Sequence, residues 1–375
     1  MSSIFGSLLA CLFHLSVLPS EASIYSGPIG EQEAYLGNAG AALEDSVGNL
    51  LLNPAGLAFT QKTAPSASMS GNTLGFETTR SPGFYKSSTS FTSRTLLAAG
   101  VFPTEAWDGY FAMFYSEPIN DSNIGITNSG TFELNSSTTA GGVAAGYRHS
   151  DTLGFGLSGS ISFQIVDTYL TRTQSSPGFS SLSYEREQIK NYSLLLTPGV
   201  LWRPISWWKL GVSLNWRPFS LEQEGLAYRT SQSSAGADLS ETARPFNPDI
   251  KNTYDATLGQ SFALSENYLL LLDMTYRPEF SYSNDTGERW TEDSFKSLSV
   301  GLKIHANFLV DLLGGYSRSE SDFGSANLVT LGFAINRQNN SLLLGLYYKD
   351  NTLKGDFKGQ SSSGGLSYAA NISYF

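Results

Sequence analysis

The chain has 375 residues and a formal net charge of −10, and only 15% of its residues are charged. It has no basic cluster that could neutralise phosphates, which excludes a typical nucleic-acid-binding protein. Its mean hydropathy is −0.14, and beyond the N-terminus no segment approaches the ~18 uninterrupted apolar residues of a transmembrane helix. The composition therefore does not fit a helical membrane protein. A soluble domain with so few charges would normally carry a larger aliphatic core.

The N-terminus has the pattern of a secretory signal peptide. Residues 4–19 form an apolar run, and Ser20 and Ala22 place small residues at the −3 and −1 positions of a cleavage site after Ala22. No lysine or arginine precedes the apolar run, so a buried N-terminal helix stays open as the alternative. Cys11 follows a lipoprotein-like box, but the apolar run continues past it, which disfavours lipidation. We predict a signal peptide over residues 1–22, whose removal leaves no cysteine in the chain.

Residues 23–61 differ from the rest of the chain because they are rich in alanine and glycine. Their apolar stretch SVGNLLLNPAGLAF (46–59) is too short to span a bilayer as a helix, and Pro54 excludes it from a central strand. Asn53 and Pro54 instead fit a helix start, with Asn53 as the N-cap and Pro54 at the first helical position. We predict a compact segment with short helices.

From residue 62 onward, apolar residues recur at every second position. The stretch LVTLGFAI (328–335) places Val329, Leu331, Phe333 and Ile335 on one face, with Thr330, Gly332 and Ala334 opposite. SVGLKI (299–304) and LSYAANISY (366–374) repeat this pattern. In a soluble sandwich the second face would carry lysine and glutamate. An apolar exterior with a small or polar interior is typical of a transmembrane β-barrel.

The connections between these predicted strands alternate in length. Tight connections fall at 150–151, 204–206, 265–266, 307 and 338–340. Long polar ones fall at 119–135, 171–186, 223–249, 283–293 and 353–362. This alternation predicts an all-β fold over residues 62–375, an antiparallel up-and-down barrel of about fourteen strands with short periplasmic turns and long external loops. Closure of the barrel removes the strand edges that lipid does not tolerate.

The lumen of such a barrel is the expected place for residues 23–61, which would form a hatch whose small residues permit a close fit. Its candidate apolar pocket consists of Leu50, Leu51, Leu52, Leu57 and Phe59. Whether that face contacts a ligand or only fills the lumen stays open. The candidate polar residues of the lumen are Asp273 and Asp311, which interrupt apolar strands, and Arg94 and Lys303. The two aspartates either line a path or form hydrogen bonds to Arg94 or Lys303.

No residue pattern indicates an enzyme, a metal site or a cofactor. His14 lies in the signal peptide, and His149 and His305 lie beside tight turns, far from the outer-leaflet level at which a barrel phospholipase needs histidine and serine. Cysteine and histidine do not occur at metal-ligand spacing. The glycines near residue 40 lack the lysine and hydroxyl residue of a phosphate-binding loop. We therefore expect no catalytic activity and no cofactor.

The stretch YLGNAGAALEDSVGNLLLNPAGLAF (35–59) resembles the N-terminal region of the FadL/TodX outer-membrane transport family. The matching residues are Gly37, Gly40, Ala41, Glu44, Asp45, Gly48, Asn49, Asn53, Pro54, Ala55 and Gly56. The resemblance implies a fourteen-stranded barrel with an N-terminal hatch, which agrees with the strand count made from turns and loops. It also implies a location in the outer membrane of a diderm bacterium.

The function implied by the resemblance is passive uptake of long-chain fatty acids or other hydrophobic compounds, with lateral release into the membrane. Hatch movement would gate the path, which makes Asn53, Pro54, Ala55 and Gly56 the candidate gating residues. By the same analogy the lateral opening lies beside strand 108–118. The expected partners are a hydrophobic small molecule or fatty acid, outer-membrane lipids, and the barrel-assembly machinery that reads a C-terminal residue such as Phe375.

Two other functions stay open from the sequence. The polar loops 171–186 and 223–249 suit a non-transporting outer-membrane barrel that serves as a scaffold or protein shuttle. A general porin has the same barrel architecture, but an apolar plug argues against an open pore.

Overall fold

A computed structural model of the chain describes residues 30–44, 46–60, 65–81, 84–104, 108–127, 130–176, 179–218, 220–233, 236–246, 253–283, 289–292, 294–321, 324–337, 340–353 and 359–373. The predicted signal peptide, residues 23–29 of the predicted hatch, Asp45 and Phe375 lie outside these ranges. None of the helices in the described ranges has the length and apolar character needed to cross a membrane.

Three short helical elements precede the strands in the described chain. They are a 3-10 turn at Glu33–Tyr35, an α-helical turn at Asn49–Leu52 and a 3-10 helix at Pro54–Phe59. The strands are β1 Ser66–Ser81, β2 Phe84–Thr104, β3 Gly109–Thr127, β4 Gly130–Arg148, β5 Leu153–Ser176, β6 Phe179–Ile205, β7 Trp208–Arg217, β8 Ser220–Ser233, β9 Gly236–Phe246, β10 Thr253–Ser265, β11 Tyr268–Arg277, β12 Phe280–Ser283, β13 Arg289–Glu292, β14 Phe295–His305, β15 Val310–Glu320, β16 Gly324–Arg337, β17 Asn340–Leu353 and β18 Gly359–Ser373.

The strands form a closed antiparallel ring. Pairing runs from β5 through β4, β3, β2 and β1 to β18, continues down to β14, and then passes through β11, β10 and β7 to β6, which pairs with β5. Four pairs of consecutive strands each share one position in the ring, because a short irregular stretch interrupts the strand. For example, β7 and β8 both pair with β6, at opposite ends of it. The eighteen strands therefore occupy fourteen positions, and the predicted fourteen-strand barrel is confirmed.

The outer and inner faces differ as the alternation predicts. On β16 the four apolar residues of the predicted stripe are 39% to 61% exposed, whereas Thr330 and Ala334 are buried towards the lumen. On β14 Leu302 is exposed and Ser299 is buried. The apolar side chains therefore cover the outside of the barrel, which is the arrangement that a lipid environment requires.

The predicted external loops are wrong in extent. Residues 119–135 and 171–186 are mostly strand, because β3 pairs with β4 as far as Thr127 and Gly130, and β5 pairs with β6 as far as Ser176 and Phe179. Much of 223–249 likewise forms the β8–β9 hairpin. Strands that project beyond a membrane need no apolar face, so their backbone pairing continues where the apolar alternation stops.

Residues 30–60 lie inside the ring and carry most of the buried core. Val47, Leu50, Leu51 and Leu57 pack against β2, β3 and β4. Tyr35 and Leu36 pack against the opposite wall, with Leu271 of β11 and Leu343 of β17. We call residues 30–60 the hatch, because they fill the lumen between opposite walls of the barrel.

Candidate functional site

The Asn53-Pro54 pair forms the helix start that the sequence predicts. Pro54 is the first residue of its 3-10 helix, and Asn53 Oδ1 accepts a hydrogen bond from the Ala55 N–H at 3.1 Å. Asn53 Nδ2 donates to the carbonyl of Ala41 within the hatch at 2.6 Å and to the carbonyl of Val200 in β6 at 3.1 Å. One side chain therefore caps a helix, joins two parts of the hatch and ties the hatch to the wall.

Glycines of the wall let the hatch approach the strands closely. A Cβ at Gly156 would overlap the Ala55 nitrogen, and a Cβ at Gly199 would overlap Asn53 Oδ1. Other strands meet the hatch in the same way, through Gly146, Gly154, Gly211, Gly259, Gly301 and Gly315. Glycine weakens an isolated strand, so its use here marks places where another backbone comes close. The sequence shows these glycines but does not show what they contact.

Asp273 points from β11 into the lumen and holds the hatch backbone. Its Oδ2 accepts hydrogen bonds from the N–H groups of Gly40 at 2.7 Å and Ala41 at 2.8 Å. Its Oδ1 has no hydrogen-bond partner in the described part of the chain. A bond from Asp273 to Lys303 was one expectation from the sequence, and it is wrong because Asp273 is opposite Ser299, four residues along β14 from Lys303. The side chain of Arg94, in β2, lies outside the described part.

Asp311 and Lys303 do lie together in the lumen. Lys303 Nζ is 3.1 Å from Asp311 Oδ2, which also accepts from Asn336 at 2.9 Å, and His305 Nδ1 is 2.6 Å from Asp311 Oδ1. Lys303 Nζ also donates to the hatch residue Gln32 at 2.8 Å. This network lies beside the turn after β14 and connects that end of the barrel to the hatch.

A second charged contact holds the hatch at β6 and β7. Glu44 Oε2 lies 2.7 Å from Lys209 Nζ, and Glu44 Oε1 lies 3.2 Å from Arg203 Nε. The Arg203 guanidinium also lies over the Phe59 ring, 4.7 Å from its centroid. Sequence reasoning did not single out the two basic residues. The available signal was Glu44, the acidic residue of the matched motif, which needs a cation when it is placed in a lumen.

Glu33 is the most buried carboxyl group of the hatch. Its Oε2 accepts from the Ser46 hydroxyl at 2.7 Å and from the Glu31 N–H at 3.2 Å. A Cβ at Gly40 or Gly48 would overlap its side chain, so both glycines are needed to hold it. Burial raises the pKa of Glu33 to about 7, because an ionised carboxylate is disfavoured away from water.

In the described part of the chain, the five residues predicted to line an apolar pocket pack in three different surroundings. Leu50, Leu51 and Leu57 pack into the cluster with β2 to β4. Phe59 packs with Leu201 of β6 and with alanines of the hatch. Leu52 faces a separate cavity. The hatch segment is only a few helical turns long, so its side chains radiate towards different walls of the ring.

The cavity beside Leu52 has a volume of about 70 Å³ and lies between the hatch and the wall from β7 to β17. Ten of its fourteen lining residues are polar, and they include Asp273, Lys349 and the serines of β14 and β15. Leu52, Phe295 and Leu328 are its large apolar residues. The lining of this cavity is therefore mostly polar, and the apolar pocket predicted from the sequence stays a prediction.

A seam opens in the wall between β2 and β3. These strands pair only from Leu97 and Ser116 down to Thr104 and Gly109. Among the described residues beyond that level, β2 pairs only with β1 and β3 only with β4. The β3–β4 register shifts between Ser116 and Ile119, where β3 holds one residue more than β4. Such a bulge bends its strand, which separates β3 from β2. The separation begins at the height of the Leu50 cluster, which is the group of Val47, Leu50, Leu51 and Leu57 packed against β2 to β4.

No family model matches the chain, and no curated protein matches it. Several solved structures share its architecture. The monoaromatic hydrocarbon channel CymD is 14% identical with a TM-score of 0.67, and the match covers 93% of this chain and 99% of CymD. The P. putida toluene transporter TodX is 13% identical with a TM-score of 0.67, over 93% and 99% of the two chains. A Pseudomonas aeruginosa FadL homologue is 12% identical with a TM-score of 0.66, over 94% and 100%.

The chain has the FadL/TodX fold. At these identities the comparison shows the fold alone, and the FadL/TodX fold is also what the motif at residues 35–59 implies. In the described residues no group of three or more histidine, cysteine, aspartate or glutamate side chains could hold a metal ion. The lumen of this chain combines the polar cavity with the hatch anchors, and its wall has the seam between β2 and β3.

Proposed function

We propose that this protein is a passive transporter of hydrophobic compounds in the outer membrane of a diderm bacterium. The observation that carries the proposal is the combination of a plugged lumen with a seam in the wall. A plug argues against free diffusion of water-soluble solutes, and a seam offers an exit into the membrane. The fold, shared with a hydrocarbon channel and a toluene transporter, supports the same class of cargo.

The height of the seam supports lateral release. Eight residue pairs join β2 to β3 below it, which is about 26 Å of strand and about 19 Å of height at a tilt of ~45°. The apolar band of an outer-membrane barrel is about 25 Å tall. The seam therefore begins inside the band, where a hydrophobic compound can pass from the lumen into lipid without crossing water.

The hatch gates this path in our proposal. Leu50, Leu51 and Leu57 lie against the walls next to the seam, and the Asn53 to Gly56 segment is fixed by its cap and by Gly156 and Gly199. Movement of this segment would change access from the cavity to the seam. Fatty acids are one possible cargo within the class.

The proposal is tested by uptake of N-phenylnaphthylamine, a dye that fluoresces when it enters lipid. A diderm host that lacks its own barrels of this fold would express the full chain or an empty vector. We expect faster dye entry with the protein, and no added conductance in planar bilayers. An open-pore conductance without faster dye entry would favour a porin and overturn the proposal.

A scaffold or protein-shuttle role has one specific observation in its favour. β6 has 27 residues, about 90 Å of strand, which is far more than the 9–11 residues that a membrane-spanning strand needs. β5, β8 and β9 extend with it into a sheet beyond the barrel wall. Chemical cross-linking on intact cells tests this role, which predicts a stoichiometric protein partner at that sheet.

A further inference from the structure

We infer that the cargo carries an uncharged hydroxyl group, so that an alcohol or phenol with an apolar tail fits the lumen better than a hydrocarbon or a carboxylate. The inference rests on the proposed transport function and names its substrate class. It is carried by the cavity between the hatch and the wall from β7 to β17, whose lining is mostly polar.

The strand register places hydroxyl groups in rows across this wall. Thr257 of β10 is opposite Thr275 of β11, which is opposite Ser297 of β14, which is opposite Ser319 of β15. Directly opposed residues share a face of the sheet, and all four line the cavity. A continuous row of hydroxyls therefore crosses four neighbouring strands.

A second row runs parallel to the first and adds a charge at each end. Asp273 of β11 is opposite Ser299 of β14, which is opposite Ser317 of β15. Ser317 is opposite Leu328 of β16, which is opposite Lys349 of β17. All five line the cavity. The serines thus lie between a carboxylate and an ammonium group, and the net charge of the two rows is close to zero.

The apolar part of the lining is small. Leu52 of the hatch and Phe295 of β14 add to Leu328, and Phe295 also lies under the buried Arg277 guanidinium, 5.7 Å from the ring centroid. The volume of about 70 Å³ is roughly half of the ~150 Å³ cavity that holds benzene in an apolar protein core. The site therefore suits the polar head of a molecule whose tail extends beyond the cavity.

Each competing class of cargo loses free energy in this cavity. The Thr257 and Thr275 hydroxyls lie 3.0 Å apart and bond to each other, but a pure hydrocarbon would cover the serine hydroxyls and return no hydrogen bond. A carboxylate is repelled by the carboxylate of Asp273, whereas the ammonium group of Lys349 lies at the far end of the second row, beyond Leu328. A hydroxyl both donates and accepts, so it matches a row of hydroxyls that can do the same.

Binding of three matched probes to the full-length protein in detergent tests the inference. The probes are 4-hexylphenol, hexylbenzene and 4-hexylbenzoate, and equilibrium dialysis against protein-free micelles corrects for partition into detergent. We expect 4-hexylphenol to bind at least about tenfold more tightly than the other two, which corresponds to one or two added hydrogen bonds. Equal binding of 4-hexylphenol and hexylbenzene, or tighter binding of 4-hexylbenzoate, would overturn the inference.

Two triple variants test whether the two rows of hydroxyl groups cause the preference for 4-hexylphenol. Ser297→Ala, Ser299→Ala and Ser317→Ala together should lower 4-hexylphenol binding about tenfold and leave hexylbenzene binding no weaker. The matched control, Ser158→Ala, Ser160→Ala and Ser162→Ala, removes three buried serines of β5 that do not line the cavity and should change neither. The same fall in both variants would also overturn the inference. The ranking of the probes by the unaltered protein stands even if a variant fails to fold. Absence of binding by all three probes would instead contradict the transport function itself.

Discussion

Asn53 makes three hydrogen bonds that no apolar side chain could replace. Asn53→Ala removes the cap on Ala55 N–H and leaves the Ala41 and Val200 carbonyls without their donor. We expect the hatch to lose about 2–3 kcal/mol of local stability, seen as faster hydrogen exchange over residues 46–60 by mass spectrometry. Asn267→Ala, in an exposed turn, is the control. Equal protection of the hatch in both variants would contradict the anchoring role of Asn53.

Glu33 makes the stability of the hatch depend on pH. Its pKa is about 7 when the hatch is docked and returns to about 4.5 when the hatch opens, so the docked state is favoured by protonation. Hatch stability should therefore fall as pH rises from about 4.5 to about 7 and level off above that, by roughly 3 kcal/mol in all.

The test of this titration compares hatch protection at pH 5 and pH 8, corrected for intrinsic exchange rates. Glu33→Gln should remove the difference between the two pH values and protect the hatch more than Glu33 does at pH 8. A pH dependence that survives in Glu33→Gln would assign it to another group.

At the scale of elements, the glycines of the wall decide whether the hatch can dock. Gly156→Val places a side chain where Pro54 and Ala55 lie, so we expect a displaced hatch and a barrel that conducts ions in planar bilayers. Gly141→Ala is the control, because Gly141 is exposed and the nearest atom to its added Cβ is 3.9 Å away. A closed barrel in both variants would show that the hatch tolerates the added side chain.

The strands that the sequence predicts best are those that face lipid. The stripe at 328–335 has a period of two because one face meets lipid and the other meets the hatch, so its alternation could be interpreted directly. The hairpins of β5–β6 and β8–β9 lack that alternation because water surrounds them, and polar composition then resembles a loop. Pro54 was informative because a cap depends on local sequence. The partners of Asp273 and Glu44 could not be predicted from the sequence, because they lie far away along the chain.

At the scale of the whole molecule, the plug and the seam explain why the lumen can be polar in a transporter of hydrophobic compounds. The seam lies beside the Leu50 cluster, whereas the hydroxyl rows lie on the wall from β10 to β15. A cargo with a polar head and an apolar tail can bind the rows with its head and leave with its tail towards the seam. The predicted opening beside strand 108–118 stays a proposal, and it is supported by the part of β3 that pairs with β4 but not with β2.

The bulge at residues 117 and 118 gives the most direct test of lateral release through the seam. Deletion of Pro118 removes the extra residue of β3, which should restore regular pairing and close the seam. The most direct measurement is N-phenylnaphthylamine entry into cells that carry either the unaltered protein or the deletion, with folding of both checked by heat-modifiable migration on gels. We predict that entry falls to the empty-vector rate in the deletion variant. A folded deletion variant that admits the dye as fast as the unaltered protein would contradict lateral release through the seam.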